Sequence, residues 1–423
     1  MMAKIYIKNF GPIKEGYQEN KGFMEITPVT VICGNQATGK STIAKIYSTF
    51  AWLEKENSRF NMDSDYNTMS SFYELCKNQK IEEYIKPNTK IKYIGDLFSF
   101  SYENSMLKKT NNHSSLQKYN RPQIMYVPAE RNLLTTIEDA ENIKRLPLML
   151  SIFLEEYNNA RKNSKTGDFK IPVSDVSIKY DKESLSTFVI TKDRAIVSIY
   201  NSSSGIQSVV PLSIVTRYLT KESQFDLKRD VKKLSSNEKK QLQQLINSTM
   251  NNNDNNIAEE IVDAIIYGRK YDEEIFNKLK KATHGFFNSC FINIVEEPEQ
   301  NLYPSSQAKV LFELLECMNN NEFNQLILTT HSLYILVYLT LVAKASELIN
   351  KKVPSEKIEQ IVPKKSIIDG NKISIYETQE DGTIKKLKPY ENLPSDLSLL
   401  NQAMAKGNEL FAQLIDLEQE YCL

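Results

Sequence analysis

Gly34-Asn35-Gln36-Ala37-Thr38-Gly39-Lys40-Ser41 decides the reading of this chain, because it fits the pattern G-x-x-x-x-G-K-[ST] of a phosphate-binding loop. The two glycines let the backbone wrap so that successive N–H groups face phosphate oxygens. Lys40 can then reach the β and γ phosphates, and the Ser41 hydroxyl can ligate Mg²⁺. The flanks agree with this. Ile26-Thr27-Pro28-Val29-Thr30-Val31-Ile32 is a β-branched run that ends at Cys33-Gly34. After the loop, Ile43, Ile46, Tyr47, Phe50 and Leu53 recur at spacings of three and four, which predicts an amphipathic helix. Strand, glycine loop and helix is the order such a site requires, and the helix start adds its positive end. The expected nucleotide contacts are Gly34, Asn35, Gln36, Ala37, Thr38, Gly39, Lys40, Ser41 and Thr42.

Two later apolar runs end on reactive side chains. Phe291-Ile292-Asn293-Ile294-Val295 predicts a buried strand that delivers Glu296-Glu297-Pro298-Glu299 at its C-terminal end, where open α/β sheets place ligands. Two adjacent carboxylates suit two tasks: Glu296 holds Mg²⁺ through water, and Glu297 orients or deprotonates an attacking water. Leu326-Ile327-Leu328-Thr329-Thr330-His331-Ser332 places one of only three histidines at the end of another strand. There His331 can hydrogen-bond a γ-phosphate, and with Glu297 and Lys40 it forms the expected catalytic set.

Composition narrows the class. The 423 residues are 41% hydrophobic and 25% charged, enough for a sizeable core and against disordered or collagen-like chains. The 53 basic and 53 acidic side chains cancel, which excludes a polybasic nucleic-acid coat as the whole chain but leaves a local patch open. Cys33, Cys76, Cys290, Cys317 and Cys422 show no CxxC spacing and read as reduced thiols without a zinc site. The N-terminus carries no signal region. The strongly apolar run Leu333 to Ala345 has the length of a core helix, short of a bilayer span. A cytoplasmic protein without a membrane segment is expected.

Elsewhere the pattern predicts a first strand at Lys4–Lys8, a turn at Phe10–Ile13, a strand around Lys90 to Tyr102, and a buried strand Ile124–Val127 running into Pro128-Ala129-Glu130-Arg131. Alternating segments follow near Val176 to Tyr180 and Ile196 to Tyr200. Residues 221–285 read as a charged helical insertion, with a capping box at Ser235 and Glu238, a face of Ile257, Ile261 and Ile265, and a solvated tip at Asn251–Asn256. A hairpin across Ile373 to Leu387, turning at Glu380-Asp381-Gly382, and an amphipathic helix close the chain.

The phosphate loop, the E-E-P-E-x-x-L-x-P run from Glu296 to Pro304 and Thr329-Thr330-His331-Ser332 together resemble the ABC-type ATPases of the SMC, RecF and OLD group. Ile7-Lys8-Asn9-Phe10-Gly11-Pro12-Ile13 is similar to that group's first strand and turn. The resemblance implies an α/β P-loop NTPase: an ABC-type head with a mixed sheet flanked by helices. Residues 1–220 and 286–350 would form the head, 221–285 a helical insertion, and 351–423 a small C-terminal α+β extension.

The same resemblance implies a signature loop. Ser203-Ser204-Gly205-Ile206-Gln207-Ser208 is similar to L-S-G-G-Q, with Ile206 departing from the second glycine. In the family this loop reaches the γ-phosphate of the other protomer in a head-to-head dimer, which makes Ser204, Gly205 and Gln207 further nucleotide contacts and ATP with Mg²⁺ the expected ligands. Arg131 is open between a phosphate or dimer contact and a structural ion pair. Asn301 is a candidate dimer contact. Gln123 precedes its strand, so no glutamine is assigned to Mg²⁺.

An N-K-x-D base-reading motif is absent, as is any arginine after Arg269, which disfavours GTPase and AAA+ motor readings. Only 92 residues follow His331, and the single D-x-D, Asp63-Ser64-Asp65, lies far ahead of it; a nuclease of the TOPRIM kind is not expected downstream. The chain thus resembles stand-alone ATPase subunits of bacterial anti-phage systems such as Septu and PARIS. A homodimer or an oligomer of dimers that controls a separate nuclease or toxin effector is expected. The alternative is a RecF-like ATP-dependent DNA-binding repair protein.

Overall fold

The computed structural model describes residues 3–60, 65–112, 114, 116–138, 140–163, 169–173, 175–249, 262–263, 273–389, 393 and 398–422. Its strands are β1 (Lys4–Lys8), β2 (Gly16–Tyr17), β3 (Met24–Glu25), β4 (Val29–Gly34), β5 (Lys90–Ile94), β6 (Phe98–Glu103), β7 (Met106–Asn111), β8 (Arg121–Val127), β9 (Phe169–Lys170), β10 (Ser177–Asp181), β11 (Ser186–Ile190), β12 (Ile196–Ser198), β13 (Asn288–Glu296), β14 (Gln325–Thr330), β15 (Ile373–Thr378) and β16 (Thr383–Lys386). The fold is mixed α/β, as expected, with three sheets flanked by helices.

A seven-stranded sheet in the order β2-β16-β15-β4-β14-β13-β8 carries the site. From β15 to β8 every pairing is parallel, so the C-terminal ends of five strands share one edge. Register keeps those ends level: Gly34 pairs with Thr378, Cys33 with Thr330, and Glu296 with Thr329. Such a sheet must be covered on both faces, and the side-chain alternation provides for it. Val29, Val31, Cys33, Phe291 and Val295 enter one core, while Ile32, Ile292 and Ile294 enter the other.

Helix α1 (Lys40–Phe60) and α2 (Asp65–Asn78) pack on the second face, where Ile43, Ile46, Tyr47, Phe50 and Leu53 are all buried as their spacing predicts. The antiparallel sheet β3-β1-β5-β6-β7 closes over them. On the first face lie α3 (Leu133–Thr136), α4 (Leu148–Asn163), α5 (Ser204–Glu222) and the helices Pro304–Asn319 and Leu333–Asn350. The small sheet β12-β11-β10-β9 adds Ile178 and Val189 to that core.

Within the insertion, α6 (Leu227–Lys232), α7 (Ser236–Thr249) and the helix Glu273–Ala282 surround a core of Leu227, Val231, Leu242, Ile246, Phe276 and Leu279. The capping box is formed: Ser235 N donates to Glu238 Oε2 at 3.0 Å, and Glu238 N to Ser235 Oγ at 3.3 Å. The expected face of Ile257, Ile261 and Ile265, the Asn251–Asn256 tip, and Asp63 with Ser64 lie outside the described residues.

Several expectations change. The hairpin at 373–387 is not part of a separate C-terminal extension, because β15 fills the place beside β4 in the central sheet. The strand expected around Lys90 to Tyr102 is two strands, β5 and β6, since the chain reverses at Gly95–Leu97 and Gly95 N donates to Phe98 O at 2.9 Å. Strand β11, between the two predicted alternating segments, was not expected. The apolar helix Leu333–Asn350 is long and apolar enough to cross a membrane by length and composition. It packs Ile335, Leu336, Leu339 and Val342 into the core, yet leaves Tyr334, Val337 and Leu341 exposed, so only one of its faces is core.

Candidate functional site

All of β4 is buried, and its last residue opens the phosphate loop. Gly34 and Gly39 adopt φ of +138° and +105°, conformations that side chains rarely allow. Space imposes the same choice: a Cβ on Gly34 would stand 2.4 Å from Thr378 Oγ1, and one on Gly39 would stand 2.9 Å from Ile13 Cδ1. The Phe10–Ile13 turn and the end of β15 therefore wall the loop from two sides. Inside it, Lys40 Nζ donates to Asn35 O at 2.6 Å and Thr38 Oγ1 donates to Asn35 O at 2.8 Å. Asn35, Gln36, Ala37 and Ser41 are exposed, while Lys40 and Thr42 are buried. Helix α1 begins at Lys40, and the first N–H groups of a helix have no intrahelical acceptor; with its dipole, this end suits an anion.

Strand β13 brings Glu296 to the neighbouring strand end. Its carboxylate accepts from the Tyr126 hydroxyl and, at 3.3 Å, from Ala129 N. Glu297 follows with φ of +42°, and its amide donates to Thr329 O at 2.9 Å. That turn sends the side chain toward β14, where Glu297 Oε1 lies 3.5 Å from His331 Nε2. The histidine is also hydrogen-bonded with the Gly34 backbone. Phosphate loop, acidic pair and histidine thus converge as their motifs predict.

Electrostatics fit these roles. Burial, and then the Lys40 charge, hold His331 below the usual imidazole range, with Glu297 opposing; the ring is a neutral donor and acceptor at neutral pH. Burial lowers the Lys40 ammonium, and Glu297 leads the groups that pull it back.

Glu299 was not singled out by sequence. Its Oε1 accepts from Thr330 Oγ1 at 2.8 Å and from His331 N at 2.7 Å, so it fixes the histidine's backbone. Burial raises its pKa. The only signal was its place in the E-E-P-E run. Tyr126 and Thr378 were missed too, because nothing near them in the chain marks them.

The Ser204–Gly205 turn starts α5 and packs on the loop that follows the acidic residues: a Cβ on Gly205 would stand 2.8 Å from Asn301 O. Ser204 is exposed. Gln207 is buried, with Nε2 donating to Ile199 O and Tyr200 O at 3.1 and 3.0 Å. Its amide thus holds the turn from inside. Ile206 packs against the first core, which accounts for the apolar side chain where the resemblance expects glycine. Asn301 donates to Ser208 Oγ at 3.0 Å, an internal contact. Gln123 pairs across to Phe291, four positions before Val127 meets Val295, roughly 13 Å from the strand end.

Arg131, left open by the sequence, holds backbone. It is fully buried, and among the described residues it forms no ion pair and donates only to backbone carbonyls. Nε donates to Ser208 O at 3.2 Å, Nη1 to Glu296 O at 2.8 Å and Pro128 O at 3.4 Å, and Nη2 to Glu297 O at 2.7 Å. Burial lowers its pKa to about 10, so it stays charged.

For Mg²⁺ the available donors are oxygens, the Ser41 hydroxyl and the Glu296 carboxylate, which suits a hard cation that keeps several waters. Among the described residues no group of three His, Cys, Asp or Glu could hold a metal by itself. Phosphate oxygens and water would have to complete the shell.

Residues 293–337 match the family described as "AAA domain, putative AbiEii toxin, Type IV TA system". That stretch holds the acidic residues and the histidine, and its likeness to an AAA-type domain supports ATP binding and hydrolysis. No curated protein matches the chain in sequence. Among solved structures, the SMC head domain from Thermotoga maritima is similar at 10% identity and a TM-score of 0.38, over 94% of this chain and 100% of that one. An Smc head domain with an extended coiled coil, bound to the C-terminal domain of ScpA and derived from Pyrococcus furiosus, is similar at 10% identity and a TM-score of 0.35, over 97% and 100%.

Proposed function

We propose that the chain is an Mg²⁺-dependent ATPase whose copies close head to head, and that ATP in this pair governs a separate effector in bacterial anti-phage defence. The observation that carries the ATPase reading is the 3.5 Å approach of His331 Nε2 to Glu297 Oε1 beside the phosphate loop. Lys40 and the N-terminal amides of α1 bind and orient the phosphates. Glu297 takes the proton of a water placed in line with the γ-phosphorus, and the single N–H of neutral His331 leaves the Gly34 backbone to donate to a γ-phosphate oxygen. Mg²⁺, when bound by Ser41 and Glu296, would offset charge on the phosphate oxygens. In the same reading Ser204 and Gly205 donate to the γ-phosphate of the partner's nucleotide, with Gln207 holding their turn in shape.

The defence role draws on the motif resemblance and on the matched family's description, which joins an AAA domain to a putative toxin. Phosphate release across a dilution series tests the core claim, with Lys40→Ala and Glu297→Gln as controls. Specific activity that falls on dilution supports a site completed by two copies; a concentration-independent value sinks it. An effector that co-purifies and leaves when ATP is added supports the defence role. Salt-sensitive DNA binding that requires ATP, with no such effector, would favour repair instead.

A further inference from the structure

We propose that Arg131 is a positioning residue for hydrolysis, tying the Glu297 peptide to the first turns of α5 so that the general base and the Ser204–Gly205 turn keep one register. This rests on the ATPase reading. Among the described residues Arg131 is the largest fully buried side chain, and a buried cation is costly unless its site is well satisfied. A fold that needed only packing here would be served by an apolar side chain. Instead the guanidinium spans separate stretches of backbone, with Glu296 O and Glu297 O on one side and Ser208 O on the other. A planar fork of donors can bridge them, and a lysine ammonium cannot reproduce that geometry.

The peptide it grips is a strained one. Glu297 holds φ of +42°, a conformation non-glycine residues avoid and which recurs at functional sites when its surroundings enforce it. A second link runs in parallel, from Asn301 Nδ2 to Ser208 Oγ at 3.0 Å. Both links end on Ser208, one turn along from Gly205. Load placed on the Ser204–Gly205 turn by a partner's nucleotide therefore passes to the carbonyl of the base residue and the loop that follows it.

The test separates nucleotide affinity from turnover in Arg131→Ala, Arg131→Lys and Ser208→Ala, using a fluorescent ATP analogue and phosphate release. Affinity should stay near the wild-type value, while kcat falls roughly a hundredfold in Arg131→Ala, the scale of a small misplacement of a catalytic group. Arg131→Lys should recover little of it. Millimolar guanidinium should restore part of the kcat of Arg131→Ala and none in Glu297→Gln, a rescue that a loss of stability would not show. Ser208→Ala should fold normally and lose a few-fold in kcat, which keeps the proposal open to refutation if Arg131→Ala does not fold. Wild-type kcat in both Arg131→Lys and Ser208→Ala overturns it, as does affinity falling in step with kcat. If the wild type releases no more phosphate than Lys40→Ala, the ATPase reading itself fails.

Discussion

The hydroxyls of Thr38 and Thr378 lie 2.6 Å apart, across 340 positions of sequence. Thr378 Oγ1 also reaches Cys33 O at 3.2 Å, and Asn35 Nδ2 donates to Glu380 Oε1 at 2.9 Å. The phosphate loop is therefore shaped in part by the hairpin near the end of the chain. The same strand continues outward, since Glu377 Oε1 accepts from Leu399 N at the start of the helix Leu399–Cys422.

Replacing Thr378 by Val keeps the shape and removes that hydroxyl. The Thr38 proton goes to Asn35 O, so the single Thr378 proton is shared between Thr38 and Cys33 O, and its loss should cost about 1–3 kcal/mol of stability. Nucleotide affinity should fall roughly tenfold, because the loop loses a support rather than a phosphate contact. Calorimetric titration of ATP against both proteins, with their melting temperatures, measures the two effects.

Gly34→Ala tests the wall itself. The added methyl meets Thr378 Oγ1 at 2.4 Å and Thr378 O at 2.6 Å, so either β15 moves or the loop does. ATP binding should be abolished, with destabilisation of about 1–3 kcal/mol from the strained backbone. An unchanged dissociation constant would contradict the observed packing.

Lys40→Ala and Glu297→Gln should fail differently. The lysine variant loses nucleotide binding. The glutamine variant binds ATP normally and hydrolyses it about a hundredfold or more slowly, since it keeps the side chain's size but cannot take a proton. Equilibrium binding next to single-turnover phosphate release distinguishes them.

A stability effect is expected far from the phosphates. Glu54 is buried on α1 and accepts from Tyr93 Oη at 2.8 Å, Leu97 N at 2.7 Å and Phe98 N at 3.2 Å. Burial nevertheless dominates and pushes its pKa from 4.5 to about 7. A carboxyl whose folded value is raised favours the fold while protonated, and that stability is lost as pH rises from the ordinary value through the folded one. Between about pH 5 and about pH 8 the group should cost the wild type about 3 kcal/mol, and Glu54→Gln should remove that slope. Urea melts across the range provide the check; parallel pH curves would refute it.

Much of the candidate site was legible because each of its chemical parts lies within a few consecutive residues. Gly34 to Ser41 carries its own conformation and its own cation. Glu296 and His331 each end an apolar run whose alternation already predicts a strand. The face of α1 and the capping box at Ser235 follow from spacing for the same reason: their partners lie within a turn or two.

Arg131, Thr378 and Glu299 were not legible in this way. Their partners are backbone carbonyls, a distant hydroxyl and a backbone N–H, groups that nearly every residue possesses and that identity therefore cannot mark. Sequence by itself determined that the chain carries a phosphate loop, a pair of carboxylates after one strand and a histidine after another. Tertiary structure alone decided that β15 would lie beside β4 and press Thr378 on the loop, and that one buried guanidinium would hold Glu297 to α5. Strand register and burial select those contacts, and both depend on the packing of the whole sheet rather than on any local run of residues.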